Sequence, residues 1–190
     1  AESVDRLVDQ VVKAFGRIDV LVNNAAYPRG NDRVPLTELD EAVWRKVLDI
    51  KLTGAFLLCK RVVPLMAKEC WGRIINLSSI AGSFTAPWPH LGAYAVSKAA
   101  LEKLVDAWRA EHPGVGFTRL VVGDCAGGAG DAMTEFNRGW DQELAMKSYP
   151  VWMTRGYMSG ALMPVEDLVE VVNTILHTKA STAMPMCARR

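Results

Sequence analysis

Residues 15–26 read Phe15-Gly16-Arg17-Ile18-Asp19-Val20-Leu21-Val22-Asn23-Asn24-Ala25-Ala26. From Ile18 to Val22 the run is apolar with almost no alternation, the pattern of a parallel strand covered on both faces. Asn23 and Asn24 end it, because a short amide side chain competes with the ladder for backbone hydrogen bonds. Upstream, Val4, Leu7, Val8, Val11, Val12 and Phe15 recur at spacings of three and four. Residues 3–15 therefore form an amphipathic helix that closes at Gly16.

Downstream the same alternation repeats. Residues 28–35 are a loop, and residues 37–40 offer caps for a long helix through Trp44, Val47, Leu48, Leu52, Phe56 and Leu57, which Pro64 is expected to kink or restart. Residues 72–79 form a second apolar strand, 81–91 a Gly/Pro-rich loop, 93–111 a helix and 115–122 a third strand. A Gly-rich connection with Gly123, Gly127, Gly128 and Gly130 follows. Short helices are expected over 132–136 and 142–148, a final helix over 165–177 and a last edge strand over 183–188. Strand alternating with helix implies an α/β fold with a parallel sheet and right-handed crossovers. In such sheets ligands bind beyond the C-terminal ends of the strands, where Asn23-Asn24, Ser78-Ser79 and the Gly123 region fall.

Composition narrows the function classes. The 190 residues are half apolar, enough for one domain over 1–190 with a substantial core. Twenty-two basic and 21 acidic residues, spread without blocks, leave no electrostatic footprint for nucleic acid or an anionic membrane, so the expected partner is a small molecule. Cys59, Cys70, Cys125 and Cys187 are far apart and form no Cys-x-x-Cys pair; with His90, His112 and His177 at unrelated positions, no metal site or disulfide framework is expected. No apolar run is long enough to span a bilayer and no basic-then-apolar leader is present, so a soluble, cytoplasmic protein is expected.

Tyr94-Ala95-Val96-Ser97-Lys98 lies fifteen residues after Ser79. A Tyr and a Lys four apart on a helix share one face, which holds a phenol beside a fixed positive charge. An isolated Tyr titrates at about 10, and a neighbouring ammonium is expected to lower that value. Ser79 would place a neutral donor on an oxygen where charge develops. Read without Tyr94, Ser79 is more simply a strand-end hydroxyl capping a turn. Alternation sends Ser78 and Ser79 to opposite faces, so one of them reaches the crevice.

The residue 15–26 segment, the Gly72–Ser79 strand and the Tyr94–Lys98 helix together resemble the short-chain dehydrogenase/reductase family over roughly residues 2–122. That resemblance implies a Rossmann-like doubly wound sheet and an NAD(P)-dependent oxidoreductase acting on alcohols or ketones. It assigns catalysis to Ser79, Tyr94 and Lys98, cofactor contacts to Asn24, Ala25, Ala26, Tyr94 and Lys98, and commonly a homodimer or homotetramer. Ser79 is preferred to Ser78 because it lies 28 residues after Lys51, a separation similar to the family's.

Three departures stand out. The family opens with a strand, a Gly-rich turn and a helix that grip the cofactor phosphates and select NAD or NADP. None of these is found here, so the chain is expected to be an N-terminally incomplete member, part of a longer gene product, with residues 18–22 left at a sheet edge. Lys51 stands where the family pattern has an Asn that places a water in the proton relay. Turned inward, it is expected to lower one lysine pKa and favour tyrosinate; turned outward, it snorkels to solvent. Ala26 replaces a Gly, and Gly123-Asp124-Cys125-Ala126 replaces a Pro-Gly turn, leaving Thr134 as a candidate nicotinamide contact.

Two other classes compete. A catalytically inactive module would use Leu52, Phe56, Leu57, Val62 and Val63 as an apolar face for dimerisation or a partner. A serine hydrolase built on Ser79 and His90 lacks a Gly-x-Ser-x-Gly elbow. Met133, Phe136, Trp140, Met146, Tyr149, Trp152 and Met153 read as a lid over a bulky apolar substrate, or as ordinary core.

Overall fold

The computed structural model describes residues 1–27, 30–83, 88–126, 140–158, 160–178 and 183–186. Among them, four strands pair all-parallel in the order β1 (Val20–Asn23), β2 (Arg73–Ser79), β3 (Gly116–Val122) and β4 (Ala183–Met186). Helix α1 (Glu2–Phe15) precedes β1, and α2 (Glu41–Leu48) and α3 (Gly54–Lys68) precede β2. Helices α4 (Ile80–Ser83) and α5 (Gly92–Glu111) precede β3, while α6 (Gln142–Thr154) and α7 (Val165–His177) precede β4.

Alternation along β2 builds two cores. Ile74 packs with Val8 of α1, Val62 and Met66 of α3, Val105 of α5 and Phe117. Ile75 faces the other way, against Leu120 and Ile175, with Val171 and Val172 of α7 beside them. Helices thus cover both faces, the doubly wound arrangement expected from the sequence.

β1 differs from its expectation of burial on both faces. Leu21 packs against the first core, but Val20 and Val22 are 37% and 43% exposed, because they point to the face that α1 and α3 do not cover. The strand lies at the edge of the described sheet.

Asp40 caps α2 by accepting from the backbone N–H groups of Ala42 (2.6 Å) and Val43 (3.3 Å). The helix then opens into a π turn over Asp49–Thr53, closed by the Gly54 N–H on the Asp49 carbonyl. This turn interrupts the long helix, whereas Pro64 does not: α3 runs through it to Lys68. Likewise α6 runs past its expected end at Ser148, through Pro150, to Thr154. Both prolines are exposed, so the carbonyls left without a donor can turn to water. α4 occupies the start of the expected loop, and residues 132–136 lie outside the described residues.

Replacing Asp40 with Ala removes two caps from α2. It is expected to cost about 1 kcal/mol, read as a lower denaturant midpoint with an unchanged slope.

Candidate active site

β2 delivers two serines to different partners. Ser78 Oγ donates to Glu102 Oε1 of α5 at 2.6 Å. Ser79, on the opposite side, hydrogen-bonds the Tyr94 side chain, and its Oγ also accepts from the Ala81 N–H at 3.3 Å as α4 begins. Ser79 thus caps the turn into α4 and meets Tyr94 at once. Tyr94 stands in the first turn of α5, and Lys98, one turn on, donates from Nζ to the Leu77 carbonyl at 2.5 Å. The strand end and the helix start are therefore joined on both sides of Tyr94.

At the same sheet edge, Asn23 Nδ2 donates to Asn76 Oδ1 at 2.8 Å and ties β1 to β2. Asn24, Ala25 and Ala26 follow it, all exposed.

Three cations surround the Tyr94 ring. Lys51 Nζ lies 4.3 Å from the ring centre, the Arg33 guanidinium 5.0 Å and Lys98 Nζ 5.8 Å. Arg33 is 4% exposed, pairs with the buried Asp32 carboxylate at 3.4 Å and lies 4.9 Å from the Trp140 ring. Tyr94 also packs on an aromatic wall of Trp88, Trp152, Trp140 and Tyr157. In that wall Trp88 stacks on Tyr157 at 5.6 Å and Trp140 meets Trp152 edge-on at 6.1 Å.

Burial dominates the titrations. It pushes the Tyr94 phenol above its ordinary value; the Ser79 hydrogen bond and Arg33 pull it back, while Asp32 pushes it further up. The expectation that Lys98 lowers Tyr94 below its ordinary value is corrected: desolvation outweighs the attraction, and Arg33 is the cation that opposes it most. Lys98 is itself lowered to about 8 by burial, with Glu102 pulling the other way. Lys51 is inward and 3% exposed. Burial lowers it to about 7, helped by Arg33 and Lys98 and opposed by Asp32.

Sequence reasoning missed Asp32, Arg33 and the part Trp140 plays beside Arg33. The available signal was an adjacent acid and base just beyond a strand's C-terminal end, in a segment read only as loop.

The expected lid divides. Trp140 and Trp152 join the wall beside Tyr94, whereas Met146, Tyr149 and Met153 are exposed on α6. Met133, Thr134 and Phe136 lie outside the described residues. The apolar face proposed for docking also divides: Val62 and Val63 are buried in the chain's own core, and Phe56 packs on Trp108 at 6.1 Å. Among the described residues, no group of three or more His, Cys, Asp or Glu is placed to hold a metal, and no helix is long and apolar enough to cross a membrane.

Residues 1–141 match the family model described as short chain dehydrogenase. The chain belongs to the short-chain dehydrogenase family. It is 45% identical over 101 residues to dehydrogenase/reductase SDR family member 4 of Bos taurus, covering 53% of this chain and 35% of that protein. It is 37% identical over 113 residues to the 3-oxoacyl-[acyl-carrier-protein] reductase FabG of Thermotoga maritima, covering 60% and 44%. The match thus spans less than half the length of either relative. The fold of an NAD+-bound xylitol dehydrogenase superposes with a TM-score of 0.74 at 24% identity, covering 97% of this chain and 74% of that one. This short-chain dehydrogenase is accordingly a member of an oxidoreductase family.

Because Lys51 titrates near 7 when folded and near 10.5 when free, the unfolded chain binds more protons between those values, and stability rises with pH across that window. Below pH 7 the cost of the buried charge is fully present. Lys51→Met is therefore expected to stabilise the protein by several kcal/mol below pH 7 and progressively less towards pH 10.5. Denaturation at both ends of the window measures this, and a pH-independent difference would contradict it.

Proposed function

We propose that residues 1–190 form one α/β domain carrying the acid/base centre of an NAD(P)-dependent oxidoreductase, which moves hydride between nicotinamide and an alcohol or ketone. The observation that supports this most is the Ser79–Tyr94 hydrogen bond at the ligand edge of a parallel sheet, with the Lys98 ammonium one helical turn away.

The residues present suit parts of both halves of such a cofactor. Asn24, Ala25 and Ala26 leave exposed backbone and short side chains at the end of β1 for its adenosine half, and Tyr94 and Lys98 offer hydroxyl and ammonium donors to the nicotinamide ribose. Bound there, the cofactor supplies or accepts the hydride. In reduction, Ser79 holds the substrate oxygen with its hydroxyl and Tyr94 gives that oxygen its proton, becoming phenolate. In oxidation the same phenolate takes the proton back. Trp88, Trp140 and Trp152 wall the tyrosine with apolar surface, which favours a bulky, apolar substrate.

Tyr94→Phe keeps the ring and its packing but removes the transferable proton. Turnover is expected to fall by about 10²–10⁴-fold while NADH or NADPH binding, followed by fluorescence, is retained; unchanged turnover would overturn the reading. The short span relative to the curated relatives keeps a second reading open, a non-catalytic module that dimerises or docks on a partner. It predicts that neither NADH nor NADPH shifts the melting temperature of this chain.

A further inference from the structure

Lys51 stands outside the Ser79, Tyr94 and Lys98 set, yet its ammonium is nearer the Tyr94 ring centre than that of Lys98, 4.3 Å against 5.8 Å. The π turn puts it there: Lys51 is the middle residue of Asp49–Thr53, and the wide turn packs against α5. Almost no water screens it, since it is 3% exposed. A cation on the face of a phenol is attracted by the neutral ring and much more by the phenolate that forms when the proton leaves.

We propose that Lys51 is a positioning residue that sets the acidity of Tyr94: charged, it makes the tyrosine a stronger proton donor, and uncharged, a weaker one. The catalytic consequence rests on the oxidoreductase reading. In reduction, the Tyr94 O–H bond breaks and the alkoxide O–H bond forms. Below pH 7, where Lys51 keeps its proton, the phenolate left behind lies against its ammonium until solvent returns a proton.

The groups facing Lys51 are Tyr94 and Lys98 from α5 and Asp32 and Arg33 from the segment after β1. Their balance with burial leaves Lys51 titrating near 7, while Tyr94 titrates above its ordinary value. In the wild-type protein Lys51 has therefore already lost its charge when Tyr94 ionises. An arginine at 51 stays charged throughout, whereas a methionine never carries charge. A residue that only filled space would give the two variants the same Tyr94 titration.

The experiment is a pH titration of phenolate absorbance in wild type, Lys51→Arg and Lys51→Met, with the Tyr94→Phe titration subtracted. Lys51→Arg is expected to lower the Tyr94 midpoint by about one pH unit, roughly tenfold in acidity, and Lys51→Met to leave it at the wild-type value. Equal midpoints in the two variants would overturn the proposal. A carbon NMR titration of the Lys51 ε-carbon in wild type is independent of variant folding: a midpoint near 7 is expected, and one near 10.5 would overturn the expectation that wild type and Lys51→Met share one Tyr94 midpoint. Both titrations need neither turnover nor cofactor, so they fail separately from the oxidoreductase reading, which the Tyr94→Phe turnover assay tests.

Discussion

β2 is dry on both faces and hydrogen-bonded on both edges, with Ile74 in one core, Ile75 in the other, and β1 and β3 alongside. Slipping its register by one residue would exchange those isoleucines and drive each into the wrong core. The same slip would exchange Ser78 and Ser79 at the strand's end. The packing that specifies the fold thereby decides which hydroxyl meets Tyr94 and which meets Glu102, and it does so from five residues away, at Ile74.

The site is costly because so much of its charge is buried. Asp32, Arg33, Lys51, Lys98 and Glu102 are all nearly inaccessible to water. Each is partly compensated: Arg33 by Asp32, Lys98 by the Leu77 carbonyl and by Glu102, which also lies 3.6 Å from Arg119. The compensation is incomplete, which is why both lysines lose protons more easily than free lysine does. Desolvation holds the Tyr94 phenol in its neutral form against the Ser79 hydrogen bond and the Arg33 cation, which favour its anion.

The regular parts of this arrangement were legible because they are periodic. The three-and-four spacing of α1, the short apolar stretches of β2 and β3, and the four-residue step from Tyr94 to Lys98 all follow from local geometry. Preference for Ser79 over Ser78 needed the family spacing in addition to alternation. Arg33 was not legible: it meets Tyr94 across 61 residues of chain, through a segment with no period at all. The direction of the Tyr94 shift was misjudged because a charge pair can be read from sequence, whereas the depth to which it is buried depends on Trp88, Trp140 and Trp152 arriving from elsewhere. The π turn was missed as well, since one extra residue in a helical turn leaves no mark on composition.

That turn holds one residue more than a continuous α-helix needs. Each residue of an α-helix advances the chain by on the order of 100°, so deleting one residue from Asp49–Thr53 would let α2 and α3 fuse into a regular helix that still keeps Val47, Cys59, Val62 and Val63 on one face. The buried face does not require the extra residue; what the wide turn adds is Lys51, turned inward against the Tyr94 ring.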